Sequence, residues 1–307
     1  MWFKNFAGNQ GLDLSLIKST ISQAGHYRAD VTSKLTVLQM NSQYMAYDDD
    51  TDHNGEQTTQ LDWLENEFAQ ARADGRKIII LDHVYAGCRY EAAKLWHDKY
   101  NNPYFQMLRD NHDLVVMEVG GHDHFADLRF HTSKNVAELK DLSGSTFNFH
   151  NLFVSPGMTP YGNSNPGVSK FELNSDFVPQ NLRMEFLDLD YTIGKQSVPY
   201  SEAKFWTVDY AKDYGVTDLT PDSLANFYDV LSSQDEGITL NYLISKLGFN
   251  PEDSQQRQQG IDLLSKKDII TSNKHHVGEF LCLMKHSSWA SEYADCADSA
   301  NSVEFLQ

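Results

Sequence analysis

The sequence lacks any apolar stretch near the roughly 18 residues of a membrane-spanning helix, so we expect no such span. Basic residues are also few: 25 Lys and Arg stand against 43 Asp and Glu, which gives a formal net charge of −18. An acidic field of this size repels phosphate backbones, and nucleic acid is therefore not an expected partner. Residues 1–11 contain no apolar core of a secretory signal, so this chain shows no signal peptide.

Cysteine is scarce as well, with only Cys88, Cys282 and Cys296. The last two would close a loop of about 15 residues, for which chain entropy gives a stabilisation of roughly 3 kcal/mol if they are oxidised. An oxidised pair would indicate a secretory compartment, whereas two buried thiols would fit a reducing cytosol. The cysteines alone leave both interpretations open.

The remaining composition is typical of a folded globular protein, since 40% of the 307 residues are hydrophobic and 22% are charged. Over residues 35–190, short apolar runs typical of strands alternate with segments whose apolar residues recur at helical spacing. This pattern predicts an α/β fold. The runs at 78–81 and 114–119 are almost continuously apolar, as in strands buried on both faces, and the segment between them is expected to form two helices. Gly75 is placed as a helix C-cap, and Thr220-Pro221 as a helix start.

The pattern changes to helix signals only after about residue 195. We therefore expect a first region over residues 1–195 and a helical C-terminal region over residues 196–307.

Histidines follow both apolar runs. Asp82-His83 comes directly after the first run, and Gly120-Gly-His-Asp-His124 comes directly after the second. Ligands in α/β sheets bind outside the carboxyl ends of strands, so His83, His122 and His124 are expected to converge there. Neutral imidazole is a common metal ligand, which predicts a metal site. The alternative is that each histidine only caps backbone groups at its strand end.

These two blocks resemble the third and fourth metal-binding blocks of the calcineurin-like metallophosphoesterases. Further segments resemble the acid sphingomyelinase-like phosphodiesterase branch of that family, in the same order along residues 20–300. They are Ala24-Gly-His-Tyr27, Leu38-Gln-Met-Asn41, Gln60-Leu-Asp-Trp-Leu-Glu65, Val154-Ser-Pro-Gly-Met-Thr-Pro160 with Asn165-Pro-Gly167, and the tail from Cys282 to Cys296.

The resemblance implies a sandwich of β-sheets flanked by helices and a site for two divalent metal ions, usually zinc, that hydrolyses a phosphodiester. His83 and His122 would ligate one ion and His124 the other. The loop with Thr159, Asn165 and Pro166 would lie near the substrate, and Cys282 would be disulfide-bonded to Cys296. The substrate would be a sphingomyelin-like lipid or nucleotide-like phosphodiester, and the protein would be secreted or reside in lysosomes or other endomembranes.

Two features depart from the family pattern. Asp82 stands where the family has glycine, so its carboxylate would either support a metal ligand or disturb a tight turn; Asp123 is the other nearby carboxylate. The family blocks Asp-x-His, Gly-Asp-x-x-Asp and Gly-Asn-His-Asp/Glu, which supply the bridging carboxylate and the proton donor, have no match in residues 1–39.

The missing blocks lead to three expectations. The sandwich is partial, residues 1–307 bind at most one metal ion weakly, and this chain alone is inactive. An incomplete sheet would also self-associate or bind a partner that covers the missing half. The alternative function is a non-catalytic binding or assembly subunit that keeps the phosphoesterase scaffold.

Overall fold

The computed structural model describes residues 13–89, 93–132, 148–160, 164–193, 202–233, 236–265, 276–289, 291 and 293–296. Residues 1–11, on which the expectation about a signal peptide rests, lie outside these ranges. The strands are β1 (Tyr27–Asp30), β2 (Leu35–Gln39), β3 (Lys77–Leu81), β4 (Cys88–Arg89), β5 (Ala93–Lys94), β6 (Val115–Gly120), β7 (Asp127–Thr132), β8 (Asn148–Val154), β9 (Gly167–Leu173), β10 (Pro179–Leu187) and β11 (Phe205–Asp209). The helices are α1 (Leu14–Ala24), α2 (Glu56–Asp74), α3 (Asp98–Asp110), α4 (Leu189–Ile193), α5 (Tyr210–Tyr214), α6 (Pro221–Ser232), α7 (Glu236–Lys246), α8 (Ser254–Ser265) and α9 (His276–His286).

The main sheet has six strands in the order β1-β2-β3-β6-β8-β7. The four inner strands run parallel, while β1 and β7 pair antiparallel at the two edges. In β3, Ile78 and Ile80 pack on one face of the sheet and Ile79 on the other, and all three are buried. The expectation of a strand buried on both faces is therefore confirmed for residues 78–80, while Leu81 is only partly buried.

Helices and a second sheet cover the two faces of the main sheet. One face packs against α2 and α3 through Leu64, Phe68 and Phe105, among others. The other face packs against the antiparallel sheet β11-β10-β9 and against the C-terminal helices. The fold is thus α/β, as expected, with a central sheet between helices on one side and a sheet with helices on the other. Among the described residues, no helix combines the length and apolarity needed to cross a bilayer.

The structure corrects two of the expectations about elements. β11 lies after residue 195 and pairs with β10, so the C-terminal region is not helical throughout. It was missed because its alternation of buried and exposed residues extends over only five positions. In the described part of the segment between β3 and β6, which leaves out residues 90–92, one helix, α3, and the paired strands β4 and β5 stand where two helices were expected. Regions 1–195 and 196–307 share one hydrophobic core.

Two expected helix boundaries are confirmed. Gly75 ends α2 in the left-handed conformation, with φ of 61°, which glycine adopts without a Cβ clash. Thr220 caps α6 because its hydroxyl accepts a hydrogen bond from the backbone N–H of Ser223 at 3.3 Å. Pro221 follows at the first helical position, as the sequence indicates.

Two buried histidines stack inside the core between β7 and β8. The ring centroids of His131 and His150 are 5.5 Å apart. His150 Nε2 lies 2.5 Å from Glu118 Oε2, and His131 Nδ1 lies 2.6 Å from Ser288 Oγ. Burial, with His150 and Arg129 nearby, holds the pKa of His131 well below its usual value, so its imidazole stays neutral in the folded protein.

The buried His131 should make the protein less stable in mild acid. Unfolded chains bind a proton at this imidazole below about pH 6.5 and the folded state does not, so stability falls as pH decreases from there. His131→Asn removes the titration. Since one pKa unit corresponds to about 1.36 kcal/mol, the variant should lose up to about 2 kcal/mol less than the parent between pH 7 and pH 5. Denaturant unfolding at both pH values measures this, and equal losses would contradict it.

Candidate functional site

The carboxyl ends of β3, β6 and β8 meet at one edge of the main sheet because these strands are parallel. The loops that follow are joined by backbone hydrogen bonds. The N–H of Gly121 donates to the carbonyl of His83 at 3.0 Å, and the N–H of Ser155 donates to the carbonyl of Gly120 at 2.9 Å. This edge therefore brings both histidine blocks and the loop after β8 together, as the strand-end rule predicts.

The backbone at His83 is fixed by Ser42, which lies three residues after the end of β2. The buried Ser42 hydroxyl accepts from the N–H groups of His83 at 3.2 Å and Val84 at 3.0 Å. Gln60 fixes the preceding residue, since it accepts from the N–H of Asn41 at 2.9 Å and donates to its carbonyl at 3.3 Å. Sequence reasoning missed Ser42, although a polar residue at a strand's carboxyl end is the same signal that identified His83.

His83 and His122 lie close together. Their ring centroids are 5.4 Å apart, and the two ring planes are nearly perpendicular in an edge-to-face arrangement. Burial lowers the pKa of His122 below its usual value, with the Asp123 charge opposing this shift. Since the neutral imidazole is the form that binds a metal ion, this environment favours coordination by His122.

His124 meets the loop after β8. Its Nδ1 lies 3.1 Å from the hydroxyl of Thr159, and its carbonyl accepts from the N–H of Gly157 at 3.0 Å. Gly157 packs so tightly on the imidazole that an added Cβ would lie 2.9 Å from its Cγ. The structure thus brings Thr159 to His124.

Asn165 and Pro166 belong to the same loop as Thr159 but make other hydrogen bonds. The buried Asn165 amide donates to the carbonyl of Gly248 at 2.9 Å, and its oxygen accepts from the N–H of Leu189 at 3.0 Å. The carbonyl of Pro166 accepts from the N–H of Leu187 at 2.9 Å. Asn165 therefore fastens the loop to the C-terminal helices instead of presenting its amide outward. Residues 161–163 of the loop lie outside the described ranges.

The turn that carries His122 and His124 has an unusual backbone. Both histidines have positive φ angles, 74° and 63°, which residues other than glycine seldom adopt. The Asp123 carboxylate accepts a hydrogen bond from the Tyr85 hydroxyl and lies 3.7 Å from Arg129 Nη2. It is therefore already engaged by two groups of the protein.

The Asp82 side chain is buried in the protein interior beside Glu118. Its carboxylate oxygens are buried and have no hydrogen-bond partner among the described residues. Oδ1 lies 3.1 Å from the point where a Cβ on Gly120 would stand. Burial, and then the Glu118 charge, raise the pKa of Asp82 well above its usual value, so the neutral acid is favoured.

The spacing of His83 and His122 allows both imidazoles to bind one shared divalent metal ion. With Zn–N distances of about 2.1 Å, two imidazoles that share an ion have ring centroids up to roughly 6.5 Å apart, and His83 and His122 meet this limit. A pair of ions also needs a bridging carboxylate, but Asp123 is engaged and Asp82 is buried. Among the described residues, no three His, Cys, Asp or Glu side chains are grouped as a metal site.

The cysteines of the C-terminal region are paired. Cys282 and Cys296 form a disulfide, as the family resemblance implies, and Cys88 is buried and takes no part in it. The disulfide closes the segment that follows α9, which contacts the loop around Cys88. The N–H of Cys88 donates to the carbonyl of Ser287 at 2.7 Å, and the Asn101 amide donates to the carbonyl of Ser288 at 3.1 Å.

Comparison with known proteins gives distant relatives of one kind. The chain is 24% identical over 218 residues to acid sphingomyelinase-like phosphodiesterase 3b of Mus musculus, covering 64% of this chain and 44% of that protein. It is 22% identical over 287 residues to sphingomyelinase phosphodiesterase C of Dictyostelium discoideum, covering 83% of this chain and 56% of that protein. The chain thus spans about half the length of the curated relatives it matches.

Models of known families give no match to the sequence. Among solved structures, a dimetal phosphatase from Danio rerio is similar over 55% of this chain and 63% of its own, with 12% identity and a TM-score of 0.35. A TM-score this low carries no argument about fold or function.

Proposed function

Because this chain is a distant relative of the acid sphingomyelinase-like phosphodiesterases, within the calcineurin-like metallophosphoesterases, we propose that it carries the second half of a phosphodiesterase site. The observation that carries the proposal is the pair His83 and His122 at the carboxyl edge of the main sheet, with His124 on the adjoining turn. The substrate class would be a phosphodiester, either a lipid or a nucleotide-like molecule.

Each residue at this edge has a proposed task. His83 and His122 would hold one divalent ion, for which zinc is our proposal, and His124 would contribute to a second site in a complete centre. Such ions polarise a phosphoryl oxygen and activate a water molecule. Thr159 would orient the His124 ring through the 3.1 Å contact between its hydroxyl and Nδ1.

We further propose that residues 1–307 by themselves are inactive. Two divalent ions about 3.5 Å apart repel each other by roughly 19 kcal/mol at an effective dielectric constant of 20. Neutral imidazoles do not offset this repulsion. The nearby carboxylates are committed elsewhere, Asp123 to Tyr85 and Arg129, and Asp82 to its position beside Glu118.

The test is hydrolysis of bis(p-nitrophenyl) phosphate by purified residues 1–307 with added zinc, beside calorimetric zinc titration. We expect turnover at the level of zinc alone and at most one weakly bound ion. His122→Ala should abolish zinc binding, whereas His53→Ala, which removes a histidine paired with Asp49 instead, should not. Substantial zinc-dependent turnover that disappears in His124→Ala would contradict the proposal and assign the bridging role to a carboxylate of this chain.

Because Asp82 and Asp123 are held by other groups of the protein, a second candidate function is a non-catalytic binding or assembly subunit on the same scaffold. Such a subunit would self-associate or bind a partner beside its sheets, and sedimentation of the sample used for the turnover assay distinguishes this from a compact monomer. The disulfide between Cys282 and Cys296 supports an oxidising location, so we place the protein in the secretory pathway or the lysosome.

A further inference from the structure

The strained turn at His122 and His124 rests on charges buried beneath it. Positive φ at two non-glycine residues is costly and persists only where neighbouring contacts impose it. Asp123, between the two histidines, is the turn residue whose side chain is anchored to Tyr85 and Arg129. What keeps Arg129 in place therefore determines how the two histidines are presented.

Arg129 is almost completely buried, with 1% of its side chain exposed. Its Nη2 donates to the Tyr85 hydroxyl at 2.8 Å, and its Nη1 donates to the carbonyl of Cys88 at 2.8 Å. Its Nε donates to Asp127 Oδ2 at 2.9 Å. The Tyr85 hydroxyl in turn donates to Asp123, so Arg129 is linked to Asp123 through Tyr85. Arg129 thus stands between two carboxylates, Asp123 and Asp127.

Lys246, the last residue of α7, supplies the second buried cation. Its Nζ lies 2.5 Å from Asp127 Oδ1, and the two side chains are 3% and 4% exposed. Its carbonyl also accepts from the N–H of Ala126 at 3.1 Å. Asp123, Tyr85, Arg129, Asp127 and Lys246 form what we name the buried ion network. Two cations balance two anions in it, and Arg89, half exposed and 4.0 Å from Asp123, adds a contact at its rim.

We propose that Lys246 is a positioning residue for the His122–Asp123–His124 turn, because it neutralises Asp127 and so leaves Arg129 available to Tyr85 and Asp123. Without the ammonium group, the buried Arg129 guanidinium faces both Asp127 and Asp123, whose side chains are 4% and 17% exposed. Asp127, which already has the shorter contact to Arg129, then draws the guanidinium away from the turn. The C-terminal region would by this route control the geometry of the turn through Lys246 of α7.

The test uses Lys246→Met and the double variant Asp127→Asn/Lys246→Met, with hydrogen exchange of the full chain followed by mass spectrometry. The single variant should speed exchange at residues 119–126 by about tenfold, while peptides from β9 and β10 keep the parent rate. The double variant removes one charge of each sign and should restore the parent rate at 119–126. A rate at 119–126 that the single variant leaves unchanged would overturn the proposal.

If Lys246→Met fails to fold, the double variant still tests the proposal. If the double variant folds with a protected turn, charge balance is the operating cause; if its turn still exchanges fast, the proposal is wrong. A second readout rests on the proposed function: cobalt absorption at His83 and His122 should weaken in the single variant and return in the double. If neither the parent nor any variant binds cobalt, the proposed function fails, while the exchange result still decides the role of Lys246.

Discussion

Replacing Gly87 by alanine should destabilise the protein by about 2–6 kcal/mol, because two costs of about 1–3 kcal/mol each add at this position. The residue has φ of 100°, which side chains other than hydrogen rarely permit. A Cβ there would also lie 2.1 Å from the carbonyl oxygen of Ser287, a backbone atom that cannot rotate away. Denaturant unfolding followed by tryptophan fluorescence measures the loss.

Gly215 offers a matched control for the Gly87 variant. Its φ is 69°, but an added Cβ would meet nothing within 4 Å. Gly215→Ala should therefore cost only the left-handed conformation, about 1–2 kcal/mol. The difference between the two variants isolates the contact with Ser287. Equal losses would show that the segment after α9 does not press on Gly87.

Removing the disulfide should lower the free energy of unfolding by about 3 kcal/mol, the chain-entropy value for a loop of roughly 15 residues. The bond joins Cys282 and Cys296 across 14 positions, and the Ser287–Trp289 segment lies within the closed loop. Cys282→Ala/Cys296→Ala should therefore also loosen this segment, including the bond from Trp289 Nε1 to Asn102 Oδ1 at 2.8 Å.

Urea unfolding of the oxidised parent and of this double variant gives the size of the effect. The Cys88→Ala variant is the control, because Cys88 is not part of the disulfide and its replacement leaves that bond in place. Adding Gly87→Ala to the disulfide-free protein should cost less than it does in the parent, since both changes act on one segment. Strict additivity would contradict a shared effect on residues 287–289.

Local sequence patterns were sufficient to predict the central strand β3 and two helix boundaries. The run at 78–81, Gly75 and Thr220-Pro221 each act within a few residues of their own position, so neighbours in the sequence reveal them. The convergence of His83 and His122 also followed from a general rule about strand ends. The metal role of the three histidines stays a prediction.

Features that depend on distant residues were missed. β11 is a strand because β10 pairs with it, and its own five residues give little signal. The task of Asn165 depends on Gly248, which lies 83 positions further along the chain. Arg129 and Lys246 likewise depend on partners brought close by folding, and the mixed sequence of β7 gives no sign that Arg129 is buried.

The contact between Asn101 and Ser288 joins residues 187 positions apart. Contacts of such separation require a long loop to close before they stabilise anything, which slows folding. During synthesis, Cys88 is added to the chain 199 residues before Ser287, its backbone partner. The loop after β3 must therefore stay incomplete until residue 287 has been made, and a nascent chain paused before that point presents His83 on an unfinished support. Chaperone binding to such paused chains is expected to concentrate on this part of the molecule.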